Sequence, residues 1–377
     1  MPDKELPSRL RQARESLGFS LIEATKRLGF PNYQTLRSIE TGERAIKVTE
    51  LSRFSRVYFS SMSKLLGISE TKPAEGFLWR NPPAVENKKK QVEAELFYRC
   101  EQYRILERLL NQEVYRGFLD VSIADIRTNN DINNLAERCR NLLGLGNKPA
   151  FTLLKALEQD FGVKVLFYSL SEGSSASMVH PDLGAVIIIN SDEAPWRRNY
   201  DLAHELFHLI TWKAIPQEDL KKDHAFFDDV EKKADRFSSM ILLPEQQIRR
   251  ELSKRMETER QLTYSDLTDI AIEFGVSTVA LLYRLTYLRF IRWEEADDLA
   301  RDDGLLKLSK QRRDQEWGPP PVSERFHSLA IRCLRKGLIS RGKFVEMVGI
   351  DRSDIDDFIE KTGMTVSEGR PLEIVAS

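Results

Sequence analysis

Residues 197–210 read Arg197-Arg198-Asn199-Tyr200-Asp201-Leu202-Ala203-His204-Glu205-Leu206-Phe207-His208-Leu209-Ile210, and they contain an H-E-x-x-H motif. On a helix, His204 and His208 stand four residues apart on one face. Two imidazoles can then hold one zinc ion while Glu205 points beside it. With 5 His and 58 acids in 377 residues, a shuffled chain would contain a His-acid-x-x-His about 0.01 times. Leu202, Leu206, Leu209 and Ile210 recur at helical spacing on another face. That pattern predicts one buried face and a histidine face turned to a cavity.

Catalytic zinc usually has three protein ligands and one open position, so a further donor is expected downstream. Glu231 fits. It lies in Val230-Glu231-Lys232-Lys233-Ala234-Asp235-Arg236-Phe237-Ser238-Ser239-Met240-Ile241-Leu242-Leu243-Pro244, where Val230, Ala234, Phe237 and Ile241 keep helical spacing up to a proline. Glu231 and Asp235 flank that apolar stripe four residues apart. Glu231 can bind metal while Asp235 accepts the N–H of a ligating imidazole and fixes its tautomer. His180 and His224 are further candidate ligands, with surface histidine the default reading of both, and His327 is isolated.

Upstream, Val163-Lys164-Val165-Leu166-Phe167-Tyr168 and Ala185-Val186-Ile187-Ile188-Ile189-Asn190 are β-branched runs separated by a Gly/Ser-rich stretch and Pro181-Asp182-Leu183-Gly184. They predict a small sheet. The strand at 185–190 is expected at an edge, where an extended peptide can add to it. Helical periodicity resumes near Arg197, so the motif belongs to an α+β unit inside a mostly helical protein.

The run Asn190-Ser191, then Arg197 to His208, then Glu231-x-x-Ala234-Asp235-x-Phe237 and Leu242-Leu243-Pro244 resembles the ImmA/IrrE family of bacterial metallopeptidases over roughly residues 150 to 290. The resemblance implies a zincin-like (gluzincin) fold and a Zn2+ site on His204, His208 and Glu231, in agreement with the reading from the residues. It also implies a protein substrate, a transcriptional repressor or antitoxin. Zinc would lower the pKa of its bound water and polarise the scissile carbonyl. Glu205, catalytic and not a ligand, would take the water's proton and pass it to the leaving amine. One departure stands out: the family usually has a glycine before the second histidine, whereas Phe207 stands here, a ring expected to narrow the cleft beside the metal. Phe274-Gly275-Val276-Ser277 and its flanks look like the helix-turn-helix-shaped segment that trails the family's catalytic unit, expected to pack and not to read bases.

From Arg9 to Gly67 the apolar spacing is helical and broken by Gly18, Gly29, Pro31 and Gly42, which predicts four or five short helices. Residues 1–67 hold 12 Lys plus Arg against 7 Asp plus Glu, a local charge of +5 in a chain of net charge −1. Arg9-Leu10-Arg11, Phe19-Ser20, Leu28-Gly29-Phe30 and Ile39-Glu40-Thr41-Gly42-Glu43-Arg44 resemble an XRE-type helix-turn-helix domain, the class that includes phage repressors. The resemblance makes Leu21 to Leu28 the first helix of the motif and Asn32 to Glu40 the recognition helix. Asn32, Gln34, Thr35 and Arg37 would then face base edges, with Arg44 and Lys47 on phosphates. Leu21 stands where that class usually has a phosphate-binding Gln. A small helical domain used for protein contacts would carry the same residues.

The whole chain is 41% hydrophobic and 31% charged, which excludes collagen-like and wholly disordered classes. Its near-neutral charge offers no global attraction for nucleic acid. Cys100, Cys139 and Cys333 are odd in number and far apart, as befits reduced structural thiols. The start Met1-Pro2-Asp3-Lys4-Glu5 is charged and no run of about 18 apolar residues follows, so a cytoplasmic protein with no membrane span is expected. Residues 305–344 carry 10 Lys plus Arg against 3 Asp plus Glu, suited to DNA, to an acidic partner or to a solvated face.

The expected architecture is mostly α with a small α+β zincin-like unit, an N-terminal five-helix XRE-type domain and C-terminal helical modules. The expected segments are 1–70 for the DNA-binding domain, 71–149 for a helical linker, 150–295 for the metallopeptidase domain and 296–377 for a C-terminal helical module set off by Pro319-Pro320-Pro321. The function expected is a zinc-dependent endopeptidase within a DNA-associated regulatory protein. The rival is a DNA-binding regulator or antitoxin-like protein whose metallopeptidase unit is a sensor or scaffold with little turnover.

Overall fold

The computed structural model describes residues 5–68, 76–112, 119–256, 261–313 and 322–362. Its helices, in chain order, begin with α1 (Leu6–Ser16), α2 (Leu21–Leu28), α3 (Tyr33–Glu40), α4 (Val48–Val57), α5 (Met62–Leu65) and α6 (Glu86–Leu109). Next come α7 (Asn129–Leu142), α8 (Leu153–Lys155), α9 (Pro195–Thr211), α10 (Gln217–Lys222), α11 (His224–Leu242), α12 (Glu245–Met256), α13 (Tyr264–Glu273) and α14 (Thr278–Tyr287). The last are α15 (Trp293–Ala300), α16 (Asp303–Arg313), α17 (Glu324–Arg335), α18 (Arg341–Val348) and α19 (Ile355–Lys361). The described residues also form four strands: β1 (Leu78–Trp79), β2 (Lys164–Tyr168), β3 (Ser175–His180) and β4 (Gly184–Asn190). The protein is mostly helical with a small mixed sheet.

Two compact units divide the chain, and they do not follow four consecutive segments. One joins Met1–Glu70, Ala94–Glu113 and Ser323–Ser377; the other joins Thr71–Glu93 and Val114–Val322. The C-terminal helices α17 to α19 therefore share a unit with the N-terminal helices. Pro319-Pro320-Pro321 lies outside the described residues.

In the first unit, local capping chemistry sets the helix ends. The Ser20 hydroxyl accepts from the Glu23 N–H to open α2, and Gly29 closes it at φ +67°. The Asn32 side chain accepts from the Thr35 N–H to open α3. Leu10, Leu28, Leu36, Ile39 and Phe54 form the core beneath these helices. Arg14 of α1 reaches Glu40 of α3 through a two-pronged ion pair at 2.8 and 2.9 Å, both side chains buried. Cys100, Cys139 and Cys333, from both units, are buried and form no disulfide among the described residues, and burial raises the Cys139 thiol to about 12.

In the second unit the strand order is β1-β3-β4-β2, with β2 parallel to β4 and the other pairs antiparallel. Both β-branched runs are strands, but Ala185–Asn190 lies inside the sheet, hydrogen-bonded on both sides, and has no free edge for a peptide. The strand that displaces it from the edge is β3, built from the small residues Ser175, Ala176 and Ser177 in the stretch read as a connection. His180 ends β3, and its Nδ1 accepts from the Asp182 and Leu183 N–H groups of the turn that follows.

Helix α9 packs on β3 and β4, and α11 packs on both α9 and α7. Every residue from Asp201 to Thr211 is buried. The expectation of one apolar face and one face open to a cavity is therefore corrected, because α11 covers the histidine side. Helices α13 and α14 pack into the same core through Leu267, Ile270, Phe274, Leu281 and Leu285. Among the described residues no single helix is long and apolar enough to cross a membrane, and the pair α13 and α14, which passes such a test only together, is bent by 97°.

Candidate metal centre

The motif helix α9 starts at Pro195, where a missing N–H goes unneeded. It carries His204 and His208 on consecutive turns of one side, their ring centroids 4.9 Å apart. Opposite, the apolar stripe Val230, Ala234, Phe237 and Ile241 of α11 is at most 1% exposed and seats that helix against the core. This seating turns the flank of α11 that bears Glu231 and Asp235 toward the imidazoles.

The donors converge. His204 Nε2 lies 3.2 Å from Glu231 Oε2, His208 Nε2 lies 3.1 Å from Glu231 Oε1, and the two Nε2 atoms are 3.1 Å apart. Among the described residues this group of three is the one that can hold a metal ion. His204 Nδ1 meets Asp235 Oδ1 at 3.0 Å, which leaves Nε2 directed at Glu231 and His208. Burial works against charge on His204, yet its contacts with Asp235 and Glu231 prevail and raise its pKa to about 9. Burial likewise disfavours the Glu231 carboxylate, but both imidazoles hold it well below the usual carboxylate range.

A second layer of charge holds these groups, and its key member comes from far away in the chain. Arg80, just after β1, donates from Nη2 to Asp235 Oδ1 at 2.8 Å and from Nη1 to Asp201 Oδ1 at 2.7 Å. Arg197 reaches the other oxygen of Asp201 at 3.3 Å. Burial pushes the Asp201 carboxyl up, against the pull of Arg197 and Arg80. The Tyr200 hydroxyl donates to the Asp235 carbonyl at 2.8 Å and so pins α9 to α11 at the level of the site.

Glu205 is fully buried. Its Oε1 accepts from the Ser175 hydroxyl of β3 at 2.6 Å, while Oε2 is buried with no hydrogen-bond partner among the described residues. A solvent-shielded carboxylate with one oxygen held and one free is poised to accept a proton from something placed beside it.

Of the residues singled out from the sequence, His204, His208, Glu231 and Asp235 are brought together with Glu205. Phe207 sits elsewhere than expected: it is fully buried, 5.5 Å from the Phe237 ring and edge-on to His208 at 5.8 Å, so it fills the core behind the histidines and does not line a cleft. His224 is exposed in the first turn of α11, and His327 lies in the other unit. Arg80, Asp201, Tyr200 and Ser175 were not foreseen. Tyr200 and Asp201 stood within the quoted motif, and the buried spacing of α9 was their signal; nothing in the sequence near Arg80 or Ser175 ties either to His204.

In the first unit Gln34 and Arg37 are exposed on α3 and Lys47 is exposed just before α4. Asn32 caps α3, with Thr35 beside it, and Arg44 pairs with Glu50 at 2.8 Å. These last three have local partners of their own.

Residues 158–286 match the family model described as IrrE N-terminal-like domain, Peptidase_M78. The match contains all of α9 and α11, and with them every donor of the centre. This part of the chain is thus a metallopeptidase-like unit. No curated protein matches the chain. Among solved structures, a Mycobacterium tuberculosis transcriptional regulator aligns with 18% identity over 49% of this chain and 51% of that one, at a TM-score of 0.32. The alignment spans about half the length of that regulator.

Proposed function

We propose that the protein is a zinc-dependent endopeptidase in a DNA-associated regulatory protein. The observation that carries this reading is the convergence of His204 Nε2, His208 Nε2 and Glu231 at 3.1 to 3.2 Å beside a buried Glu205 with a free oxygen. The donor set fits the ion: zinc bonds of about 2.0–2.2 Å in a tetrahedron separate ligand atoms by roughly 3.3–3.6 Å, only slightly more than the spacing here. When bound there, zinc supplies a Lewis acid that acidifies water and polarises a carbonyl.

The chain's own residues then have distinct tasks. Glu205 Oε2 takes up the proton of the attacking water and returns it to the departing amine, with Ser175 holding Oε1 so that the free oxygen keeps its aim. Asp235 holds the Nδ1–H of His204, which keeps Nε2 unprotonated for the ion. Arg80 balances Asp235 and Asp201, so that two carboxylates can stand beside Glu205 and Glu231 without mutual repulsion dispersing them.

The substrate in this reading is a protein, a transcriptional repressor or an antitoxin. The N-terminal unit, as an XRE-type helix-turn-helix domain, would bring the peptidase to DNA through Gln34 and Arg37 on base edges and Lys47 on phosphate. The +5 charge of residues 1–67 supports that placement, since phosphate neutralisation dominates DNA affinity. Asn32 and Thr35 then act mainly by forming the start of α3, and Arg44 by bracing α4. A cytoplasmic location accords with this role.

The test is metal content by mass spectrometry on protein purified without added metal. One zinc per wild-type chain and almost none in His204→Ala is expected. Glu205→Gln should keep the zinc and lose cleavage of co-expressed regulators. Two proteins equally free of metal after zinc is supplied would end the peptidase reading. Unchanged regulation by Glu205→Gln would favour a sensor or scaffold.

A further inference from the structure

Away from the metal centre, a cavity of about 820 Å³ opens between α7, α11, α12 and α14. Each of these helices sends an arginine into its lining: Arg140, Arg236, Arg249 and Arg284. The acids of the lining are Glu137 and Glu245, and Glu245 is already engaged by Arg249 at 2.8 Å. Positive charge is therefore in excess within one concave, protein-walled space, where fields are strongest.

Arg284 is the decisive member. It is 4% exposed, yet among the described residues no carboxylate lies within ion-pair distance of it. Its Nε donates to the Leu243 carbonyl at 2.9 Å and its Nη1 faces the Met240 sulfur. Burial lowers its pKa to about 10, Glu245 offsets this only in part, and Arg236, Arg140 and Arg249 push it the same way as burial. A buried guanidinium without a counter-charge is costly, and three like charges around it add to that cost. Capping the end of α11, by Arg284 at the Leu243 carbonyl and by Arg140 Nη1 at the Met240 carbonyl at 3.4 Å, explains one donor of each of these two and none of Arg236 or Arg249.

Arg236 is also oriented for a ligand. Its guanidinium lies 4.6 Å over the Tyr287 ring and its Nε touches Asn133 at 3.3 Å, which fixes the plane of the fork. Planar forks match phosphate oxygens two at a time. The cavity is within the range of small-molecule sites, about 300–1,000 Å³, and Asn147 and Gln247 in the lining offer neutral hydrogen-bonding groups to the rest of a ligand.

We propose that this cavity binds a small molecule through a phosphate or polyphosphate group, gripped by Arg140, Arg236, Arg249 and Arg284. The site is separate from the metal donors, although Arg236 is the next residue after Asp235 on α11. The proposal does not depend on the peptidase reading.

The experiment is calorimetric titration of the full-length protein with inorganic pyrophosphate at fixed ionic strength, repeated with inorganic phosphate. Saturable binding at one site per chain is expected, at least tenfold weaker in the double variant Arg140→Gln, Arg236→Gln and undiminished in His204→Ala. Arg140 and Arg236 are only partly buried, and thermal melting checks that the double variant folds. Arg249→Gln, at an exposed position, gives a second and milder loss. The proposal is overturned by absent saturation, by equal affinity in the folded arginine variants, or by an equal response to chloride. Loss of binding in His204→Ala would place the anion on the metal donors and overturn it too, as would a response confined to duplex DNA.

Discussion

At the scale of the residue, the candidate metal centre is held by charges that are not themselves donors. Arg80 touches both Asp201 and Asp235, and Asp201 is fully buried. Replacing Arg80 by leucine leaves that carboxylate with Arg197 alone and frees Asp235 to turn away from His204. The expected cost is about 2 kcal/mol of stability or more, measured by urea unfolding, together with at least tenfold weaker zinc binding in a chelator competition. Unchanged zinc affinity would show that Asp235 holds its place without Arg80. Ser175→Ala should leave both Glu205 oxygens unpartnered in a dry site, at a cost of about 1–3 kcal/mol, again by urea unfolding, with zinc content unchanged. The histidines, Glu231 and Asp235 were readable from the sequence because their four-residue spacings each lie within one helix. Arg80 was unreadable because its partners follow 121 and 155 residues later.

At the scale of the element, the helices obeyed their local signals better than the strands did. Ser20, Gly29 and Asn32 mark the bounds of α2 and α3 in the sequence, and the caps form there. Asn32→Ala should therefore cost about 1 kcal/mol of stability. Gln34→Ala and Arg37→Ala should stay within about 0.5 kcal/mol while weakening DNA binding and relaxing its sequence preference, whereas Lys47→Ala should lower its salt dependence. A thermal melt paired with a salt series on duplex DNA separates the two effects; a large stability loss in Arg37→Ala would count against its role as a base reader. In the sheet, β2 and β4 declared themselves through branched residues. Ser175 and Ser177 did not, since small polar side chains carry no β-branched signal: in the buried strand the Ser175 hydroxyl is taken up by Glu205, and that of Ser177 is buried with no partner among the described residues. Missing β3 is what misplaced β4 at the edge. Two-residue β1 has no periodicity to read at all.

At the scale of the whole molecule, the chain forms two units that are each assembled from separated stretches. A strictly consecutive reading found the right kinds of element but could not foresee which distant pieces share a core. The family match at 158–286 omits β1 and α7, although α7 packs on α11 and β1 pairs with β3. A fragment of residues 158–286 should therefore lack a cooperative thermal transition by circular dichroism, whereas the full chain should show one. A sharp transition in the fragment would mean that β1 and α7 are dispensable. The placement of Arg80 also bears on ancestry: a recombination breakpoint anywhere in residues 81–157 would give a daughter chain its histidines from one parent and the arginine that steadies their carboxylates from another. Exchanges of this peptidase-like unit between relatives should thus be tolerated only when the short stretch around residues 78–80 travels with it.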